Sequence, residues 1–192
     1  MDDPIYSGRQ LTFEEYLELE RSSEIRHEFY HGELFAMSGG TKKHNRIVRN
    51  IARLVEDRFL SQGCRVYSEN VKLEVIPNIY YPYPDVILTC DPEADDDDYI
   101  VRDPNLLVEV TSESTEANDR GFKLRRYQKI PTLQYYLIVS QSGYLIDVYG
   151  RRSSQHVWVY QRFEGKESVL DLTFINLKLS MTDIYRYLEP GA

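Results

Sequence analysis

Two carboxylates stand where β-strand-like segments should be apolar. Asp85 follows Pro84 and opens the run Val86-Ile87-Leu88, and Glu109 sits inside Leu106-Leu107-Val108-Glu109-Val110. Burying an ionised carboxylate is costly unless a cation compensates it, and a divalent metal is the most effective such partner. Any fold this chain adopts must therefore give both acids a cationic neighbour. Lys123 follows shortly after Glu109, which makes a metal-dependent site for cleaving phosphodiesters the leading expectation.

The chain has 192 residues and is 42% hydrophobic, enough for one core, so one domain over residues 1–192 is expected. No apolar stretch approaches the roughly 18 to 20 residues of a membrane span, and the start, Met1-Asp2-Asp3-Pro4, is acidic where a secretory signal is basic. A cytoplasmic protein that avoids membranes is the expectation. Cys64 and Cys90 form no Cys-x-x-Cys pair, which excludes a thiolate zinc site, and they are expected to be ordinary buried thiols with no disulfide framework.

The net charge of -8, from 31 acidic and 23 basic residues, argues against broad nucleic-acid binding, whose usual footprint is a basic domain. Part of that excess is the run Asp95 to Asp98, which with Asp91 and Glu93 is expected to be a solvated loop. The run lacks the Gly and terminal Glu at the spacing of an EF-hand calcium loop.

Thr12-Phe13-Glu14-Glu15 has the form of a capping box and starts a helix to about Glu20. Extended segments at 25–30 and 33–37 flank His31-Gly32 as a hairpin, and Ser38-Gly39-Gly40 breaks the chain. From Thr41 to about Gln62, Ile47, Val48, Ile51, Leu54, Val55 and Phe59 recur at helical spacing. Strands are expected at 64–67, 71–76 and 85–89. The continuous run 106–111 predicts a central strand buried on both faces. A helix from about Asn118 to Ile130 ends before Pro131, and strands follow at 135–139, 145–149, 156–161 and 169–174, joined by Ser-Gly, Arg-Arg-Ser-Ser and Glu-Gly turns. A terminal helical turn is expected within 182–188. The class is α/β, a mixed α+β domain.

Phosphodiester hydrolysis needs an activated water and neutralisation of the phosphoryl oxygens. Magnesium takes one or two carboxylates together with water and phosphate, so Asp85 and Glu109 side by side match it, with the Val110 carbonyl as a third ligand. Lys123, on a helix packed back across the sheet, could polarise the water or bind the phosphate, and Asp119 lies four residues before it on the same face.

These residues resemble the PD-(D/E)XK restriction-endonuclease-like superfamily, and most closely its bacterial Uma-type family. The match is carried by Phe29-Tyr30-His31-Gly32-Glu33, His44, Pro84-Asp85-Val86, the segment Leu107 to Thr115, Asp119, Lys123, Tyr127 and Gln134 to Val139. The resemblance implies a restriction-endonuclease-like central mixed sheet flanked by helices, Asp85 and Glu109 as ligands of Mg2+ or Mn2+, and DNA as the nucleic-acid partner. The superfamily places a lysine two residues after the second acid, where this chain has Thr111, and Lys123 is the migrated equivalent. Glu113 stands where the family tends to have Pro, Gln134 where an acid is common, and Ser140 where Asp is usual.

Alternatives sit beside each residue. Asp85 alone would be a turn cap after Pro84, and Lys123 an exposed helix lysine. His44 is either a helix-start residue or a group reaching the metal or a water. Glu33 is either an accessory catalytic acid or a hairpin residue. Arg120, Arg125, Arg126 and Lys129 form a cationic helix face which, with Lys42, Lys43, Arg46, Arg49 and Arg53, would line a positive groove. Ser112, Ser114 and Thr115 suggest a helix-capping turn, and the missing Gly-x-Ser-x-Gly and Ser-x-x-Lys motifs argue against a serine hydrolase. His27, His31 and His156 are taken as structural or surface residues, and the sixteen tyrosines as strand-surface residues. The competing function is a nuclease-fold binding or scaffolding protein without catalysis. Tyr-rich strands also suggest a homodimer.

Overall fold

Thr12 begins the first helix as its capping box predicts. Its hydroxyl accepts from the Glu15 amide and the Glu15 carboxylate accepts from its own amide, starting α1 (Phe13–Ser22). A computed structural model describes residues 10–37, 39–92, 99–152 and 157–189. The expectations for the acidic start, Ser38, the Glu93 to Asp98 loop, the serines of the Arg-Arg-Ser-Ser turn and His156 lie outside the described residues.

Strands β1 (His27–Tyr30) and β2 (Glu33–Ala36) pair through His31-Gly32, whose φ angles of 50° and 85° make the two-residue turn that right-twisted strands favour. A Cβ on Gly32 would also lie 2.8 Å from Gln10 Cβ, so glycine is required twice over. Helix α2 (Lys42–Phe59) is capped by Thr41, whose hydroxyl accepts from the His44 amide. Next come β3 (Arg65–Ser68), β4 (Lys72–Leu73), β5 (Tyr80–Tyr81), β6 (Val86–Thr89), β7 (Ile100–Val101) and β8 (Pro104–Thr111).

A helix over residues 116–127 follows, α-helical at both ends and π-helical over Asp119–Lys123. It starts earlier and ends earlier than its sequence pattern suggests. Arg151 binds the carbonyls of Gln128, Ile130 and Pro131, so the chain leaves the helix before Pro131 is reached. The remaining strands are β9 (Tyr135–Ser140), β10 (Leu145–Arg152), β11 (Val157–Glu164), β12 (Val169–Leu172) and β13 (Leu177–Ser180), ahead of the short turn Met181–Ile184. Only Lys72–Leu73 of the strand expected at 71–76 is laddered, because Asn78 at φ 58° turns the chain back onto Tyr80.

Six strands form the central sheet in the order β11-β10-β9-β8-β6-β3. β8 runs parallel to β9 and every other neighbouring pair is antiparallel, which makes the sheet mixed. The strand alternation sends Val108 and Val110 of β8 to one face, packed with Ile47, Ile51 and Val55 of α2 and with β12 and β13. Leu107 faces the other side, with Tyr136, Ile138, Tyr127 and Ile130 beneath the 116–127 helix. Each fully buried Ile or Leu in these layers contributes about 2 kcal/mol of transfer free energy. A third cluster, Tyr16, Phe29, Leu34 and Tyr81, holds α1 onto the small sheet β2-β1-β5.

The cysteines correct the sequence expectation. Cys64 and Cys90 are disulfide-bonded, with Cα atoms 4.1 Å apart. The β3–β6 register pairs Arg65 with Thr89, which sets the two flanking cysteines opposite each other across the strand pair. Only the pairing of strands, invisible in cysteine spacing, creates that proximity.

Candidate metal centre and cleft

Glu109 takes its position from β8, whose alternation points it with Leu107 toward the 116–127 helix. It is only 5% exposed. Its Oε1 accepts from Lys123 Nζ at 3.0 Å and from the Tyr127 hydroxyl at 2.9 Å. The helix therefore supplies Asp119, Lys123 and Tyr127 at spacings of four, one buried stripe. Tyr136, from β9 below, donates to the Asp119 carbonyl within the π-helical segment.

Asp85 comes from the chain entering β6. Its Oδ2 accepts from the Val110 amide at 2.7 Å and pairs with His44 Nε2 at 3.1 Å. Here the end of β8 and the first turn of α2 meet on one carboxylate. The structure thus brings Asp85, Glu109, Val110, Lys123 and His44 to one open cleft of about 670 Å³, which Asp119 also lines. Glu33 is not among the residues lining it; it sits in β2 opposite Tyr30.

The acid on the neighbouring strand is Glu28, which sequence reasoning missed. Its Oε1 lies 3.2 Å from Lys123 Nζ, and Asp119 Oδ1 lies 3.7 Å from the same nitrogen. The available signal was an acid alternating with the buried aromatic face of a hairpin strand.

Charge in the cleft is lopsided. Glu24, Glu28, Glu69, Asp85, Glu109 and Asp119 line it together with Arg26, Lys123 and His44. Burial pushes the Glu109 carboxyl well above the usual range; Lys123 opposes this, while Asp119, Asp85 and Glu28 add to it. Burial likewise pushes Asp119 up against the pull of Lys123. Burial works against the charge of Lys123, yet Glu109, Glu28 and Asp119 hold it well above the ordinary lysine value. Burial also works against the imidazolium of His44, but the hydrogen bond and charge of Asp85 outweigh it and raise its pKa.

Among the described residues no three His, Cys, Asp or Glu side chains form a ready-made metal cage. Magnesium does not need one, since one or two carboxylates with water and phosphate suffice. No described residue hydrogen-bonds Asp85 Oδ1 or Glu109 Oε2, although both residues line the cleft. Two hard oxygens without protein partners and an excess of negative charge fit a divalent cation.

Three expectations change. The basic residues do not form a groove between two helices, because α2 and the 116–127 helix pack on opposite faces of the sheet. Arg120 is bound to Glu116 and to the buried carboxylate of Asp147, and Arg126 hydrogen-bonds the Tyr30 hydroxyl and stacks on Phe122. The Ser112 to Thr115 segment is a turn closed on itself, with Thr115 Oγ1 accepting from the Ser112 amide, and Thr115 makes no side-chain cap to the helix.

A mixed sheet between helices, with acids at two adjacent strands and a lysine from the next helix lining one cleft, is a restriction-endonuclease-like arrangement. The family model described as "Uma2: Putative restriction endonuclease" matches residues 13–182, and the chain belongs to that family. It is 35% identical to an uncharacterized protein, slr1290, of Synechocystis sp., over 92% of each chain. A second Synechocystis protein, sll1609, is 27% identical over 87% of this chain and 95% of its own. The fold is shared with a crystal structure from Anabaena variabilis described as "a putative nuclease belonging to DUF820", at a TM-score of 0.74 and 16% identity, covering 93% of this chain and 99% of that one. Among the described residues no helix is long and apolar enough to cross a membrane.

Proposed function

We propose that the cleft hydrolyses DNA phosphodiester bonds as a divalent-metal-dependent nuclease. The observation that carries this is the convergence of Asp85, Glu109, Lys123 and His44 on one opening, from four separate segments. Bound there by Asp85 and Glu109, with the Val110 carbonyl as a third ligand, Mg2+ or Mn2+ would neutralise phosphoryl oxygens and acidify a water. Lys123, which donates to Glu109 at 3.0 Å, would assist water activation or place positive charge on a phosphate oxygen. His44, whose Nε2 lies 3.1 Å from Asp85 Oδ2, would hold that carboxylate in position at the mouth of the cleft. Glu28 and Asp119 keep Lys123 in position.

Metal-dependent nicking of plasmid DNA, lost in Asp85→Ala and Glu109→Ala, is the expected result. Intact substrate across DNA and RNA with Mg2+ and Mn2+ would sink the proposal.

A second function, nucleic-acid binding or scaffolding without cleavage, is favoured by Thr111 at the usual lysine position and by the saturation of Lys123 with carboxylates. Divalent-metal binding that disappears in Asp85→Ala counts against it. A cytoplasmic location and pairing of two copies belong to the same proposal. Exposed Val157, Val159 and Tyr160 on the edge strand β11 are the surface for such pairing, and a monomeric mass by light scattering removes it.

A further inference from the structure

An ammonium has three donors and no acceptor, and Lys123 has three carboxylates around it: Glu109 at 3.0 Å, Glu28 at 3.2 Å and Asp119 at 3.7 Å. Its side chain is 8% exposed, so no water shell replaces those partners. Asp85 has its own basic partner in His44, whose Nε2 lies 3.1 Å from Oδ2. Both carboxylates proposed as metal ligands therefore already have a basic partner within the chain, and Lys123 sits on the acid that a metal would need.

We infer that Lys123 stands in for the metal at Glu109: it lowers the affinity of the cleft for a divalent cation and gives up Glu109 when one binds. This rests on the metal site proposed above. Two cations held against one buried carboxylate repel strongly at low dielectric, so Glu109 cannot keep Lys123 at full strength beside a divalent ion. Lys123 has somewhere to go. Its four-carbon stem is flexible, and Glu28 and Asp119 remain as partners after it leaves Glu109. The displaced ammonium then has a donor free for an anionic phosphate oxygen. Metal and substrate binding are coupled through one side chain, and the metal site is weak until a phosphate takes up Lys123.

Calorimetric titration of Mn2+ into the metal-free full chain, without nucleic acid, tests this. Lys123→Met is expected to bind Mn2+ at least tenfold more tightly than the wild type. Equal or weaker binding overturns the inference and leaves the result of the nicking assay untouched. Heat from neither protein overturns it together with the metal assignment. Because Lys123→Met removes a buried cation and could fail to fold, the wild-type protein supplies a second measurement. The protected Lys123 ammonium signal in 1H–15N spectra is expected to shift as Mg2+ is added. A signal that stays in place while the Glu109 and Val110 amides move overturns it.

Discussion

His44 Nε2 lies 3.1 Å from Asp85 Oδ2, tying the first turn of α2 to the strand that carries the first site acid. Asp85 is what raises the imidazole pKa, since burial alone would lower it. A raised His pKa contributes stability that is fully present below the ordinary value near 6.5 and is lost as pH rises through the folded-state value. In NMR titrations of the metal-free protein, the His44 midpoint is expected above that ordinary value, and below its wild-type position in Asp85→Asn. Equal midpoints in the two proteins would show that Asp85 does not set the charge of His44.

Asp147 on β10 is fully buried and accepts from Arg120, from Arg162 at 2.8 Å and 3.2 Å, and from the Tyr160 hydroxyl at 2.7 Å. Burial opposes its ionisation, but the hydrogen bonds from Arg162, Arg120 and Tyr160 overcome this and lower its pKa. A depressed carboxyl contributes stability present above its unfolded value and lost as pH falls through the folded one. Asp147→Asn is expected to destabilise the fold by about 1–3 kcal/mol at neutral pH, discounted for the half-exposed Arg162. Urea unfolding at pH 7 and pH 3 checks this: the gap between wild type and variant should narrow at the lower pH.

Gly150 on β10 pairs with Tyr135 of β9, and a Cβ there would lie 2.7 Å from the Tyr135 ring. Both residues are buried, so the ring has little room to retreat. Gly150→Ala is expected to cost about 1–3 kcal/mol by overpacking. A melting temperature equal to wild type would mean that the layer between β10 and Phe174, which stacks on Tyr135, yields easily.

The Cys64–Cys90 disulfide closes a loop with a sequence separation of 26. Such a loop corresponds to about 3.5 kcal/mol in the chain-entropy model. Thiol titration of the unfolded, unreduced protein is expected to find no free thiol, and reductant is expected to lower the urea midpoint. Two titratable thiols before reduction would rule the bridge out.

Local patterns were legible in the residues themselves. Thr12 and Glu15 announce a capping box, His31-Gly32 a hairpin, and the apolar run around Glu109 a strand buried on both faces, because each depends on neighbours a few positions away. The π-helical step at Asp119–Lys123 was not legible, since nothing in Asp-Arg-Gly-Phe-Lys alone departs from an ordinary helix.

Two carboxylates in apolar strands, with a lysine soon after, are a statement about cost: such acids cannot be buried alone, and the sequence by itself determined that they need positive charge. Which charges they receive was decided in three dimensions. Strand pairing put the Val110 amide on Asp85, helix packing put Lys123 and Tyr127 on Glu109, and the hairpin brought Glu28 to Lys123 while leaving Glu33 outside the cleft. Those contacts join residues distant in the chain, and their strength depends on burial and separation, which exist only once the sheet and its two layers have assembled.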